Sequence, residues 1–215
     1  MKLFKKIVFS VIIGFMLFSC ENTTENQQIA IRDYGVQYND DILKIEDYLK
    51  THSVTVIDHA GFPDDQNATF TSVPSLDANS MWGSNPLTPK PSLLYKFVNI
   101  GGVEHKIYFI KFRNGTGASP LSNSQIKTYY KGYLLDGTVF DSSLESTFNL
   151  NQLIFGWREI LPEFKMGTVV GGNQYADFGA GVMFLPSALG YYHNSVGPIP
   201  DYSPLIFNFK LFDTF

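Results

Sequence analysis

A single cysteine, Cys20, leaves no partner for a disulfide within this chain of 215 residues, so packing has to hold it together. Histidine is nearly as scarce. His52, His59, His105 and His193 stand too far apart for the short ligand spacings of a metal site, and neither a structural metal nor a cofactor is expected. Positive charge is short as well: 16 Lys and Arg stand against 20 Asp and Glu, a formal net charge of −4, with no basic stripe. That excludes the electrostatic footprint of a nucleic-acid-binding protein. The most apolar stretch, residues 7–18, is too short for a comfortable membrane span. What the chain does have is aromatic weight. Phe, Tyr and Trp make up 15% of it, which suits an aromatic core in one ordinary globular domain with an appendage.

Lys2, Lys5 and Lys6 precede the apolar run, which gives way after Cys20 to the polar stretch 21–28. Charge, apolar run and abrupt polar segment is the layout of an export signal. The arrangement resembles a bacterial lipoprotein signal, in which cleavage precedes the cysteine and the thiol receives a lipid. The expectation is a signal peptide over 1–19, lipidation at Cys20, a flexible tether over 20–28, and a protein lipid-anchored to a bacterial membrane, on its periplasmic or outer-membrane face.

Beyond the tether, Ile42, Ile45, Tyr48 and Leu49 recur at helical spacing. Asp40 and Asp41 early and Lys50 late suit the helix dipole, so one amphipathic helix is expected over 38–50. Residues 54–57 read as a strand, and 61–91 as turns punctuated by prolines. Residues 93–98 and 105–112, around Gly101 and Gly102, read as a hairpin. From 126 to 134 the residues alternate as in a strand with one buried face, with Tyr130 inward, and Asp136-Gly137 supplies a turn into a strand bearing Val139, Phe140 and Asp141. Trp157, Ile160, Leu161 and Phe164 fall at i, i+3, i+4 and i+7, one apolar face of a short helix. Pro162 should make it bent or partly 3₁₀, with Gly156 easing the entry and Gly167 as a left-handed cap. The glycines between 171 and 181 read as loop. Leu205, Phe207, Phe209 and Leu211 then share one face of a final strand, with Asn208 and Lys210 on the other.

Taken in order, Tyr130-Lys131-Gly132, the run from Asp136 to Ser143, Leu153-Ile154-Phe155-Gly156-Trp157, Pro200 and Leu205-Ile206-Phe207 resemble the FKBP-type peptidyl-prolyl cis-trans isomerases, in a bacterial lipoprotein form. The resemblance implies an α+β fold: a curved antiparallel β-sheet, a half-barrel, wrapped around one short helix and preceded by a helix-containing extension. The extension would cover 29–102 and the isomerase domain 103–215, the extension packing on the domain through its helix. The resemblance also implies a pocket with Trp157 as floor, Tyr130, Phe140, Tyr191 and Phe207 as aromatic walls, Asp141 at the edge, and Leu153, Ile154, Ile199 and Phe148 completing the substrate lining. The Ile154 N–H and the Tyr191 hydroxyl would hold carbonyls of the bound chain. The ligands implied are proline-containing segments of exported proteins and FK506-like macrolides.

No nucleophile or metal is needed for such chemistry. An X-Pro bond isomerises across about 18–20 kcal/mol because amide resonance is lost in the twisted state, and a dry aromatic pocket favours that less polar state. Singly, Trp157, Tyr130 and Phe207 would pass for core residues, and Asp141 before two serines for a turn former. Their combination points to a folding catalyst for exported chains. The alternative is a non-catalytic binding module or chaperone on the same fold, within an envelope-associated complex.

Overall fold

Asp33 sets where the first helix begins. Its carboxylate accepts the backbone N–H groups of Gly35 and Val36, at 2.8 and 3.2 Å, donors that the first turn would otherwise leave unpaired. The helix, α1, runs Tyr34–Thr51, a turn earlier than apolar spacing alone suggested, so Asp40 and Asp41 stand in its second turn and not its first. The structure, a computed structural model, describes residues 30–83, 91–172 and 174–215. The expected signal peptide, Cys20 and the tether lie outside the described residues.

After α1 come β1 (His52–Val56) and β2 (Ala68–Ser72), an antiparallel pair. The second lies inside the stretch read as turns. Then follow β3 (Leu93–Ile100), β4 (Val103–Arg113), β5 (Gln125–Leu134) and β6 (Val139–Asn149). Helix α2 (Phe155–Ile160) precedes a small hairpin of β7 (Thr168–Gly171) and β8 (Gln174–Ala176), and β9 (Gly179–Leu185) and β10 (Leu205–Thr214) end the chain. Six strands form one antiparallel sheet in the order β3-β4-β9-β10-β5-β6. The expected hairpin around Gly101 and Gly102 is its β3–β4 edge, and the boundary drawn between residues 102 and 103 falls in that turn. From Ile31 to Phe215 the chain is one compact unit.

The central strands are covered on both faces, and strand alternation sorts their side chains between two cores. Ile107 and Phe109 of β4, Met183 and Leu185 of β9, and Phe207 and Phe209 of β10 pack with Trp157 and Ile160 of α2. Their neighbours Tyr108, Ile110, Val182, Phe184 and Ile206 pack with Ile45, Tyr48 and Leu49 of α1. Asn208 and Lys210 do face away from α2, but into the second layer and not into solvent. The Asn208 side chain accepts the Ala68 N–H at 3.2 Å and donates to the Gly181 carbonyl at 3.1 Å.

Around Pro162 the helix behaves as a proline demands: α2 stops at Ile160 and tightens into a 3₁₀ turn, Leu161–Glu163. Phe164 is already extended, at φ −117° and ψ 167°, so Gly167 is no left-handed cap. Gly156 lies within α2, where a Cβ would collide with Leu185; it serves helix–sheet approach and not entry. Gly179 and Gly181 belong to the buried strand β9 and not to a loop.

Asp41 ties α1 to the turn after β9. Fully buried, it accepts the Ser187 N–H at 2.7 Å, the Ser187 hydroxyl at 2.6 Å and the Gln37 amide at 2.6 Å. Burial pushes its pKa up, against the pull of those donors. Replacing Asp41 by Ala strands the two Ser187 donors, and a buried unpaired donor costs about 1–3 kcal/mol. Thermal unfolding of Asp41→Ala should show a midpoint lower by at least several degrees, since each kcal/mol moves a chain of this size by about 2–4 °C. An unchanged midpoint would show that α1 is not held through this contact.

Candidate functional site

Strand period and helix placement bring the sequence-derived residues to one spot. On β5, Tyr130 points toward α2, and β6 brings Phe140, Asp141 and Phe148 beside it. Leu153 and Ile154 lead into α2, where Trp157 sits in the first turns and is 4% exposed. From the far side come Tyr191, Ile199 and Phe207. All ten of these residues line one cavity of about 350 Å³. Val196, Gly197 and Pro198 line it too. These three were missed, although a Gly-Pro pair flanked by Val196 and Ile199 carries the signature of a tight turn. Val196 and Ile199 exchange both backbone hydrogen bonds at 3.0 Å across that turn, with Gly197 at φ 56°.

The aromatic rings meet edge to face. Trp157 lies 5.6 Å from Tyr130 at 87° and 5.3 Å from Phe207 at 84°, and Phe140 lies 5.4 Å from Phe207 at 84°. Such contacts set the positive edge of one ring against the negative face of another and fix the cage's shape. A Cβ on Gly132 of β5 would run into the Phe140 ring, so a glycine there lets that ring close over the strand.

Polar chemistry is confined to one rim. The Tyr130 hydroxyl donates to Asp141 Oδ2 at 2.7 Å, and the Ser142 N–H donates to Asp141 Oδ1 at 2.8 Å. Burial, then the neighbouring Asp141 carboxylate, pushes the Tyr130 hydroxyl up to about 12. Burial and the Asp141 charge also raise Tyr191. Both hydroxyls therefore stay protonated through the neutral range. Among the described residues, no His, Cys or Lys lines the cavity. Among the described residues, neither the Ile154 N–H nor the Tyr191 hydroxyl donates to another protein group, so both are free for a ligand. Among the described residues, no cluster of His, Cys, Asp and Glu has the geometry to hold a metal ion.

Residues 117–172 match the family of the FKBP-type peptidyl-prolyl cis-trans isomerases. That span holds Tyr130 to Trp157, while Tyr191, Ile199 and Phe207 lie beyond it. The FKBP-type peptidyl-prolyl cis-trans isomerase FkpA of Aeromonas hydrophila is 38% identical over 101 residues, which cover 45% of this chain and 34% of that protein. The outer membrane protein MIP of Legionella longbeachae is 35% identical over 115 residues, 51% of this chain and 43% of that one. The chain thus spans less than half the length of these curated relatives. The crystal structure of FkpA from Escherichia coli aligns at 29% identity with a TM-score of 0.44, covering 50% of this chain and 47% of that one. On the matched span, and through relatives that carry the same family name, this chain is similar to the FKBP-type peptidyl-prolyl cis-trans isomerases.

Proposed function

We propose that this chain is a peptidyl-prolyl cis-trans isomerase whose working site is the Trp157 cavity. The observation that carries this reading is the convergence, from five separate segments, of an aromatic cage with free hydrogen-bond donors at its mouth. In this reading a prolyl ring sits on the Trp157 indole between Tyr130, Phe140 and Phe207. The Ile154 N–H and the Tyr191 hydroxyl hold carbonyls on either side of it. The planar imide gives up resonance as it twists, and its less polar twisted form suits a dry aromatic wall better than water does. Each ~1.4 kcal/mol by which the cage favours the twisted over the planar form gives about tenfold in rate. Asp141 serves by orienting the Tyr130 hydroxyl at the rim, with no proton to transfer.

The substrates proposed are proline-containing segments of exported proteins, where slow proline isomerisation limits folding. FK506-like macrolides would compete for the same cage. The anchor proposed is a lipid on Cys20, which would hold the catalyst in the cell envelope. Its support is the apolar run ending at a lone cysteine before a polar stretch.

On a peptide whose folding is limited by one X-Pro bond, Phe207→Leu and Tyr191→Phe should each lower kcat/KM by about tenfold or more, with circular dichroism unchanged. Trp157→Phe is a cleaner probe than Trp157→Ala, since truncating a buried aromatic to alanine costs about 3–5 kcal/mol of stability. Asp141→Asn should have a smaller effect. If the folded wild-type chain shows no activity on a panel of X-Pro peptides, the cavity is a binding module and not a catalyst.

The rate should be flat from about pH 6 to 9, because the tyrosine hydroxyls of the cavity keep their protons across that window and, among the described residues, no histidine or lysine lines it. A bell-shaped profile within it would require an acid–base pair and sink the shape-and-dryness mechanism.

Cys20→Ser should lose the lipid and leave the membrane fraction. Retention there at the normal mature mass would refute the anchor.

A further inference from the structure

The outer face of the sheet carries a second cavity, of about 350 Å³, which shares no lining residue with the first. Its floor is Tyr129 of β5 and Lys210 of β10, whose chain neighbours Tyr130 and Phe209 face the Trp157 side. Its walls come largely from outside the span that matches the family: Phe62 and Pro63 from the loop before β2, and Tyr175 from β8. Tyr175 stacks on Phe212 with ring centroids 5.2 Å apart. The N-terminal extension and the β7–β8 hairpin thus build this cavity jointly, one from each side.

At its base lies a cation that, among the described residues, has no carboxylate paired to it. Lys210 is 2% exposed, and its Nζ donates to the Pro63 carbonyl at 2.9 Å and sits 4.3 Å from the centre of the Tyr129 ring. Both of those contacts line the cavity, so the ammonium stands at its wall. Three N–H donors meet one carbonyl and one ring face. The acidic groups nearby are engaged elsewhere. Asp65 is gripped at both oxygens by Arg113, at 2.8 and 3.1 Å; Asp64 lies 3.0 Å from His59 Nδ1; Glu145 of β6 is held by Lys127 of β5 at 3.3 Å. Burial pushes the Lys210 pKa down to about 8, against the weaker pull of Asp65 and Asp64. An isolated buried charge of this kind is costly, and an anion that reached it would offset the cost.

We propose that this cavity binds a small aromatic carboxylate, its carboxylate on Lys210 Nζ and its ring among Phe62, Tyr175 and Phe212. The site is independent of proline isomerisation and would let a metabolite or product occupy the face opposite the peptide. A pocket of a few hundred Å³ with largely apolar walls and a few placed polar groups is the usual form of a small-molecule site; here the charged ones are Lys210 and Glu145, the latter neutralised by Lys127.

The test is titration of the full chain with 3-phenylpropionate by calorimetry. Saturable binding is expected near pH 7, weakened by about tenfold above pH 9, where Lys210 gives up its proton. The uncharged 3-phenylpropanamide should bind about tenfold or more weakly than the carboxylate near pH 7, and the difference should fade above pH 9. Lys210→Met should lose the preference for the carboxylate. Leu144→Glu, at the exposed rim, places a repelling charge without touching the core, and should weaken binding several-fold. Tyr191→Phe, in the other cavity, should leave the affinity unchanged. The proposal is overturned if the amide binds as well as the carboxylate near pH 7, if Leu144→Glu has no effect, if Tyr191→Phe weakens binding, or if no saturation is reached.

Discussion

Along β10 every second side chain belongs to one core and the residues between belong to the other, and both halves of the molecule hang on that division. Phe207, Phe209 and Leu211 form the bed on which α2 lies, while Ile206, Asn208 and Lys210 face the layer built by the N-terminal part of the chain. A strand covered on both sides cannot slip in register by one residue. Such a slip would put Asn208 and Lys210 against Trp157 and Phe164, and Phe207 and Phe209 against the Ala68 amide and the Pro63 carbonyl. The pairing of β10 with β5 and β9 is therefore fixed from two sides, and the position of Phe207 in the cavity is fixed with it.

The cavity owes its shape to that rigidity more than to any polar group. Trp157 touches Tyr130, Phe207 and Phe209 with ring centroids 5.3–6.2 Å apart, so moving any one ring moves the others. Among the described residues, Tyr130, Asp141 and Tyr191, with the indole N–H of Trp157, are the polar side-chain groups it is lined by. This is the balance expected of a site that works on a neutral amide, where a strongly charged wall would favour the hydrated planar form over the twisted one.

What the sequence disclosed follows the range of the interaction concerned. The i, i+3, i+4, i+7 spacing of Trp157, Ile160, Leu161 and Phe164 is local, and so is the effect of Pro162; both were legible. Asp33 as the start of α1 was equally local, yet its signal was overlooked because the apolar pattern begins later, at Ile42. By contrast, nothing near Asn208 or Lys210 tells that they are buried, because the groups that cover them, Ala68 and Pro63, stand some 140 residues earlier in the chain. β2 was unreadable for a related reason: Ala68–Ser72 sits among turn formers, and only pairing with β1 and contact with Asn208 give it strand form. Gly179 and Gly181 misled in the opposite sense. They are small because other backbone crowds β9: a Cβ on Gly179 would come within 2.5 Å of the Lys165 carbonyl, and one on Gly181 within 2.4 Å of the Ile110 carbonyl and 2.8 Å of the Phe164 ring. The ten residues of the candidate site came instead from the family resemblance, which carries long-range placement that no local pattern holds, and they line one cavity.

The N-terminal part of the chain then has a physical role that the sequence left open. Without α1 and the β1–β2 pair, the outer face of the sheet would present Tyr108, Ile110, Val182, Phe184 and Ile206 to water, an apolar surface too large for a soluble domain to leave bare. The same cover buries Asp41 and Lys210, and it handles the two differently. Asp41 is met by three donors, so its burial becomes a clasp between α1 and the turn after β9. Lys210 is met by a single carbonyl and the face of Tyr129, so its burial leaves charge unspent beside an open cavity. A covering layer selected for stability alone has no reason to keep an ammonium where a methionine would pack as well and cost less. That asymmetry is the physical argument for reading the outer face as a second site and not merely as a lid on the sheet.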